Sequence, residues 1–210
     1  MNVIDLTHLI SPNMTVYPGT EAPRFDVPCT IEKDGFTERK ISLYSHTGTH
    51  IDAPSHIIQG GKTLNELSVE KFIGRAVVLD LSSINKHYID VSDLEKFGDI
   101  IRGCDFVLLH TGWSKFWGSN EYFKGYPVLS INSAKWLSEF NIKGIGIDAI
   151  SVDEAGTVDF PIHRIFLSNE IVIIENLNNL NEISEGEFTF SCFPLKIKDG
   201  DGSPVRAVGY

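Results

Sequence analysis

Three histidines and one aspartate lie within eleven residues of this chain, in the segment Ser-His-Thr-Gly-Thr-His-Ile-Asp-Ala-Pro-Ser-His that spans residues 45–56. Imidazole and carboxylate groups together are the ligands that borderline and hard divalent metals bind. Core packing does not call for so many imidazoles in so short a stretch. We therefore predict that His46, His50 and Asp52 supply part of a metal site.

The spacing of His46 and His50 restricts the shape of this segment. In a straight strand the two side chains would lie on one face but about 13 Å apart, at ~3.3 Å per residue. Two nitrogens on one metal lie roughly 3 to 4 Å apart, given bonds near 2.1 Å. A straight strand is excluded, so we predict either a helical turn or a loop folded tightly at Gly48, which tolerates a left-handed backbone.

The remaining ligands must come from elsewhere in the chain. His163 lies in the segment Pro-Ile-His-Arg, and Glu175 directly follows the apolar run Ile171–Ile174. A carboxylate in a buried setting is costly unless it is paired or bound to a cation. The carboxyl end of a strand in an α/β fold is also a common place for a site residue. From their sequence context alone both are candidates for the site, and the alternatives are an ordinary structural histidine for His163 and a buried ion pair for Glu175.

His56 lies four residues beyond Asp52 and follows Pro54. The residues alone leave two roles open, a further metal ligand or an unligated general acid or base. Imidazole titrates near neutrality, which suits proton transfer beside a metal.

The elements that must position these residues alternate between strands and helices. Four short apolar runs predict buried strands, partly parallel, at Ala76–Leu81, Phe106–Leu109, Gly144–Ile147 and Ile171–Glu175. Ser130–Phe140 predicts an amphipathic helix, and Ser92–Glu95 is a capping-box pattern opening a short helix that Gly98 could close. Together they predict a mixed α/β core.

The first quarter of the chain has a different character. Val27–Glu32 and Arg39–Tyr44 predict two antiparallel strands with a turn at residues 33–35. We expect them to be antiparallel additions to the main sheet.

Composition limits the kind of protein. With 210 residues and 42% hydrophobic side chains, the chain is expected to be one globular domain spanning 1–210. A net charge of −10 argues against nucleic acid or an anionic membrane as partner. Cys29, Cys104 and Cys192 are expected to be buried free thiols, and the amino-terminal residues lack a signal-peptide pattern. We expect a cytoplasmic protein.

The segment from His46 to His56 resembles the motif of the putative cyclase family, which includes bacterial kynurenine formamidase and isatin hydrolase. Further similarity lies at Tyr-Pro-Gly (17–19), Gly-Ile-Gly-Ile-Asp (144–148), Glu-Asn-Leu (175–177) and Gly-Ser-Pro-Val-Arg (202–206). These pieces cover almost the whole chain.

The resemblance implies a pair of metal ions, usually zinc and in some members manganese. By this resemblance His46, His50 and Asp52 would hold the first ion, with Asp52 bridging to the second. His163 would bind the second ion and Glu175 would contact both. His56 would be the unligated proton carrier.

The resemblance also implies the architecture and the substrate pocket. It implies an α/β fold with a mixed, barrel-like β-sheet surrounded by helices, of the swivelling β/β/α type, in a homodimer or homotetramer. Tyr17 stands where kynurenine formamidases tend to have the tryptophan that packs on the substrate ring. Tyrosine keeps an aromatic face but adds a hydroxyl and loses area.

The expected reaction is hydrolysis of a carbon–nitrogen amide bond in a small molecule, of the arylformamidase type in tryptophan catabolism or on a cyclic amide. Divalent cations lower the pKa of water from ~15.7 to roughly 7, and the resulting hydroxide would attack the amide carbonyl. His56 would then protonate the departing amine. The rival hypotheses are a metal-dependent cyclase or lactone hydrolase, and a metal-stabilised binding protein without turnover.

Overall fold

A computed structural model describes residues 2–210. Within that range the strands are β1 (Ile4–Asp5), β2 (Arg24–Cys29), β3 (Glu38–Ser42), β4 (His50–Asp52), β5 (Ile73–Asp80), β6 (Tyr88–Ile89), β7 (Phe106–His110), β8 (Val128–Leu129), β9 (Gly144–Ile147), β10 (Val172–Glu175), β11 (Glu187–Ser191), β12 (Gly202–Pro204) and β13 (Val208–Gly209). The helices are α1 (Ile31–Asp34), α2 (Val91–Leu94), α3 (Gly98–Ile101), α4 (Ile131–Ser138) and α5 (Pro161–Ser168). Short 3₁₀ turns cover Pro54–His56, Val69–Phe72, Glu95–Phe97, Trp113–Phe116, Asn120–Phe123 and Leu180–Glu182.

A curled nine-stranded sheet organises the fold, in the order β1-β13-β11-β5-β7-β9-β10-β4-β12. The four central strands, β5, β7, β9 and β10, are parallel neighbours in chain order. These are the four strands that the apolar runs predict. Antiparallel strands flank them on both sides, so the prediction of a single α/β domain with a mixed, barrel-like sheet is confirmed.

The central strands bury both of their faces. Val107 and Leu109 of β7 pack in one apolar cluster with α4 and α5, while Phe106 and Leu108 pack in a second cluster on the opposite face. This alternation follows from the two-residue period of a strand. Burial on both faces explains why these strands appear in the sequence as nearly continuous apolar runs.

The helices are few and short. The predicted amphipathic helix is α4, whose amino end is capped by the Ser130 side chain accepting the Ser133 N–H. The capping-box prediction is wrong in its position: Asp90 and Asp93 form the box around α2, and Gly98 begins α3 instead of ending a helix. The acceptor at the start of that helix is therefore Asp90, two residues before Ser92.

Strands β2 and β3 form a separate hairpin, not an addition to the large sheet. The turn predicted at residues 33–35 lies within α1 and its left-handed cap, Gly35, which has φ +79°. The antiparallel pairing is as predicted, but the expectation that it extends the main sheet is wrong. Strand β4 takes that place, pairing antiparallel with β10 and with β12.

The structure also shows how exposed the three cysteines are and how long the helices are. Cys104 and Cys192 are buried free thiols as expected, whereas Cys29, in the hairpin, is only half-buried. Within residues 2–210 the helices are too short, and not apolar enough, for any of them to cross a bilayer.

Candidate metal centre

The site lies where β10 ends, beside β4. The antiparallel register places His50 directly opposite Glu175, so both side chains project from one face of the sheet. The turn that precedes β4 has Gly48 at φ +66°, which returns the chain so that His46 comes back beside Asp52. This is the tight loop that the spacing of His46 and His50 predicts.

Helix α5 brings His163 to the same place. The Asp153 carboxylate accepts the backbone N–H groups of Ile162 and His163, so it closes the amino end of the helix. Asp153 also accepts the Nδ1–H of His163 at 2.7 Å. Phe160, which precedes the helix, has φ +46°, an unusual conformation for a bulky residue. One carboxylate therefore fixes both the helix and the orientation of its imidazole.

Four side chains from three elements form a closed ring of contacts. His50 Nε2 lies 3.3 Å from Asp52 Oδ1 and 3.5 Å from Glu175 Oε2. His163 Nε2 lies 3.6 Å from Asp52 Oδ2 and 3.4 Å from Glu175 Oε1. Separations of this size are those expected between ligand atoms that share one ion at bond lengths near 2.1 Å. The four residues are all nearly inaccessible to solvent.

The donor chemistry of this ring fits a divalent cation. His50 donates its Nδ1–H to the Gly48 carbonyl at 2.8 Å, and His163 donates its Nδ1–H to Asp153. Nε2 of each imidazole then faces the carboxylates of Asp52 and Glu175. The buried Asp52 Oδ2 has no hydrogen-bond partner among the described residues. Lone pairs and anionic oxygens in mutual contact require a positive charge between them.

His46 and His56 lie on the outer side of Asp52. His46 donates its Nδ1–H to Asp52 Oδ1 at 2.7 Å and its Nε2–H to Asp201 at 3.0 Å. The rings of His46 and His56 lie against each other with their centroids 3.9 Å apart and their planes tilted by 34°. Possible ligand atoms of His46, Asp52 and His56 lie within 4.8 Å of one another, as do those of His50, Asp52 and Glu175. Asp52 is thus common to two groups of possible ligands.

The charges of this cluster shift its pKa values strongly. Burial disfavours the charged form of His46, but Asp52 and Asp201 outweigh it and raise the pKa of His46 to about 10. Burial likewise opposes protonation of His163, yet Asp153, Asp52 and Glu175 raise its pKa well above the usual value. Burial lowers the pKa of His56. Without a cation, this negative field keeps protons on His46 and His163. A bound cation would take the place of one proton on each of these imidazoles.

Asp201 is a site residue that the sequence analysis missed. It lies in the turn cluster at residues 199–204, and Asp-Gly pairs of this kind usually indicate only a turn. Its carboxylate lies 3.0 Å from His46 and 3.8 Å from His56. The hydrogen bond from His46 lowers the pKa of Asp201 well below the usual range.

A buried amide supports the segment of residues 45–52, which carries His46, His50 and Asp52 and which we call the metal loop. Asn176, at φ +57°, donates from Nδ2 to the Gly48 carbonyl at 2.9 Å and lies 3.4 Å from His50 Nδ1. Its Oδ1 accepts the hydroxyl of Tyr122 at 2.9 Å, and its backbone carbonyl accepts the hydroxyl of Thr49 at 2.6 Å. The sequence analysis missed this residue except as part of a familiar tripeptide.

The ring opens into a cavity of about 350 Å³. Tyr17 lines it, as the resemblance implied, together with Tyr44, Phe160 and Ile150, which the sequence analysis did not single out. One side of the cavity therefore carries imidazoles and carboxylates, and the other is aromatic and apolar. An opening of this kind suits a small molecule that has an aromatic ring beside a polar, reactive group.

Comparison with known proteins places these features in context. The family model described as "Putative cyclase" matches residues 4–154. A kynurenine formamidase of Bacillus thuringiensis (strain Al Hakam) is 34% identical over 206 residues, which is 98% of this chain and 95% of that relative.

Solved structures are similar over nearly the whole chain. Isatin hydrolase A from Labrenzia aggregata has a TM-score of 0.86 at 26% identity, covering 99% of this chain and 93% of that one. A predicted metal-dependent hydrolase from Bacillus stearothermophilus has a TM-score of 0.83 at 31% identity, covering 99% and 97%.

Proposed function

This chain belongs to the putative cyclase family, and from that premise we propose that it is a metal-dependent amidohydrolase similar to kynurenine formamidase. Its substrate is then an aryl formamide of the N-formylkynurenine type, which gives it a place in tryptophan catabolism. A cyclic amide is the second candidate, which the structural similarity to isatin hydrolase favours.

The observation that carries this proposal is the closed ring of imidazole lone pairs and carboxylates around the buried, unpartnered Asp52 Oδ2. We assign two divalent cations to this ring together with the adjacent His46, with zinc as first choice and manganese as the alternative. By the family resemblance, His46, His50 and Asp52 would hold one ion and His163 would hold the other, while Asp52 and Glu175 would serve both.

Divalent cations in such a site lower the pKa of water and polarise a carbonyl. The proposed task of His56 is to carry a proton to the departing amine, since it lines the cavity beside His46 and Asp52. Tyr17 is proposed to pack on the aromatic ring of the substrate. Asp201 would orient His46, whose ring forms part of the same wall.

The proposal extends to the setting of the enzyme. A small molecule occupies the cavity, and the acidic chain, with a net charge of −10, has neither nucleic acid nor membrane as partner. We place it in the cytoplasm as a homodimer or homotetramer.

The experiment is a substrate panel on protein stripped of metal and then reloaded with zinc or manganese. We expect hydrolysis of N-formylkynurenine or isatin only after reloading, with little turnover of simple lactones. Turnover of lactones alone would favour the ester hydrolase instead. Full metal occupancy without turnover of any compound would favour a metal-stabilised binding protein.

Metal analysis tests the bridging role separately. Asp52→Ala is expected to lose both ions, because a bridging carboxylate serves both. One ion retained at full occupancy in this variant would contradict the assignment of Asp52 as a bridge.

A further inference from the structure

Phe160 has a backbone conformation that its residue type disfavours. Its φ of +46° and ψ of +56° lie in the left-handed region, where a bulky side chain is an outlier. Pro161 follows it, and the residue before a proline is normally extended. Local conformational energy therefore favours glycine at this position, yet the chain has a large aromatic residue there.

Contacts on both sides of Phe160 hold this conformation in place. The Phe160 carbonyl accepts the Arg164 N–H at 3.0 Å, and the Asp159 carbonyl accepts Nε–H of Arg164 at 2.8 Å. Asp153 closes the amino end of the same helix, α5. Strained residues persist only where their surroundings over-determine them, and they cluster at functional sites.

Packing of the protein interior does not account for the Phe160 ring. Among residues 2–210, Phe160 belongs to neither of the two apolar clusters on the faces of the large sheet, and it is only half-buried. Its ring meets that of the candidate ligand His163, with centroids 5.8 Å apart and planes at 85°. The ring therefore stands beside the candidate metal centre, in the wall of the cavity.

The cavity of about 350 Å³ has three aromatic walls besides its imidazoles, which are Tyr17, Tyr44 and Phe160. The two tyrosines are 38% and 53% exposed and precede the metal loop in the chain. Phe160 is instead joined directly to α5, the helix that carries His163. A ring held in this way can orient a second ring, because aromatic pairs with centroids 4.5–7 Å apart attract one another.

We propose that Phe160 is a specificity-determining residue, whose strained backbone aims its ring at the aromatic ring of the substrate. The substrate class narrows to amides whose nitrogen is attached to a flat ring, since an alkyl amide lacks the matching face. This inference rests on the proposed amidohydrolase function for its choice of substrate. It concerns binding of the ring, so it can fail independently of that function.

The first test measures binding without turnover. The probe is 2-aminoacetophenone, which has the ring and the amino group of a cleaved aryl formamide, titrated calorimetrically against metal-loaded protein. We expect Phe160→Gly to raise its Kd about tenfold, the worth of one aromatic contact. Phe160→Leu, which is apolar but not flat, should raise it less, and Phe160→Tyr should retain nearly all the affinity. Circular dichroism and metal analysis check that each variant is folded and loaded.

Glu170→Gly is the matched control. Glu170 lies two residues beyond α5, has φ +56°, is exposed and is not among the residues that line the cavity. Its exposed ion pair with Lys62 contributes little to stability. Both substitutions replace a left-handed residue by glycine, so we expect similar Tm values, with affinity lost only in Phe160→Gly.

Two results would overturn the role of Phe160. One is a Kd of Phe160→Gly equal to the wild-type value, or a wild type that does not bind the probe. The other is a Tm of Phe160→Gly more than about 5 °C below that of Glu170→Gly, which would make the ring a structural element.

Steady-state kinetics separates this inference from the proposed function. On whichever of N-formylkynurenine and isatin is hydrolysed, Phe160→Gly should raise KM about tenfold with little change in kcat, because uniform binding is lost. The kcat/KM ratio of formanilide to N-cyclohexylformamide should fall by a similar factor, and an unchanged ratio overturns the specificity role alone. Loss of probe affinity in Phe160→Gly, with no amide hydrolysed by the wild type, would support the ring contact and refute the amidohydrolase.

Discussion

His50 and His163 use one ring nitrogen for a hydrogen bond to the protein and direct the other at carboxylates. The Gly48 carbonyl and Asp153 determine which nitrogen is free. His56 differs, because neither of its ring nitrogens has a hydrogen bond of this kind: it lies against the tilted ring of His46, and its Nδ1 is 3.8 Å from Asp201. At the scale of residues, we therefore propose that holding a cation and moving a proton are tasks of different side chains.

The His56→Ala variant tests that separation. We expect it to keep its metal and its fold while kcat falls by a factor of about 10² to 10⁴, which is the rate enhancement that a general acid typically contributes. Metal analysis and steady-state kinetics on the same preparation are the measurements. Loss of metal from this variant would mean that His56 is a ligand.

Asn176 offers a test of how the metal loop is held. Asn176→Gly removes the amide but tolerates φ +57°, so we expect metal affinity to fall about 10- to 100-fold with modest loss of stability. Competition with a chelator measures the affinity, and thermal melting measures the stability. Asn179→Gly is the matched control, since Asn179 has φ +54° and donates to the Asp5 carbonyl. Equal affinities in the two variants would contradict the positioning role.

At the scale of elements, strand register assembles the site. Strand β4 lies between β10 and β12, with Glu175 opposite His50 on one side and Gly202 opposite Asp52 on the other. A Cβ at Gly202 would lie 2.5 Å from Cε1 of His46. The absent side chain of Gly202 is thus the space that the His46 ring occupies.

Gly202→Ala is predicted to displace His46 and lower kcat/KM by about 10²-fold, the usual effect of a 1 Å error in position. Gly98→Ala is the control, because its added Cβ would make only an ordinary contact, 3.7 Å from the Trp136 ring. Kinetics and metal content are compared for both. Unchanged kinetics in Gly202→Ala would show that the strand shifts to make room.

At the scale of the whole molecule, the amino-terminal segment around His8 packs against Thr49, next to the candidate ligand His50. The His8 N–H donates to Thr49 at 2.9 Å, and the His8 ring stacks on Trp117 with centroids 3.9 Å apart. Trp117 in turn contacts Tyr122, whose hydroxyl is bonded to Asn176. Segments far apart in sequence therefore support one metal loop.

This packing predicts a dependence of stability on pH. Burial lowers the pKa of His8 from 6.5 to about 4. As the pH falls between these two values, His8 is protonated in the unfolded chain but stays neutral in the folded chain, so the folded state loses stability. Relative to His8→Phe, which keeps the stack, the wild type should lose on the order of 2 kcal/mol of unfolding free energy from pH 7.5 to 4.5. Urea denaturation at matched metal content measures this, and parallel curves would contradict it.

The sequence by itself determined the central strands and the types of residue that are candidates for metal binding. Apolar runs predict β5, β7, β9 and β10 because strands buried on both faces need apolar side chains throughout. The spacing of His46 and His50 excludes a straight strand and predicts either a helical turn or a tight loop at Gly48, and the structure has the loop. Both features depend only on residues that are close together in the sequence.

Only the tertiary structure decided which distant groups meet. Asp201 and Asn176 contact the metal loop from more than a hundred residues away, and neither stands in an unusual sequence context. The β2–β3 hairpin is a second example: its alternating pattern predicts two strands but does not predict whether they pair with the large sheet. Pairing between strands depends on register and on surfaces brought together by the fold, and these are properties of the whole chain.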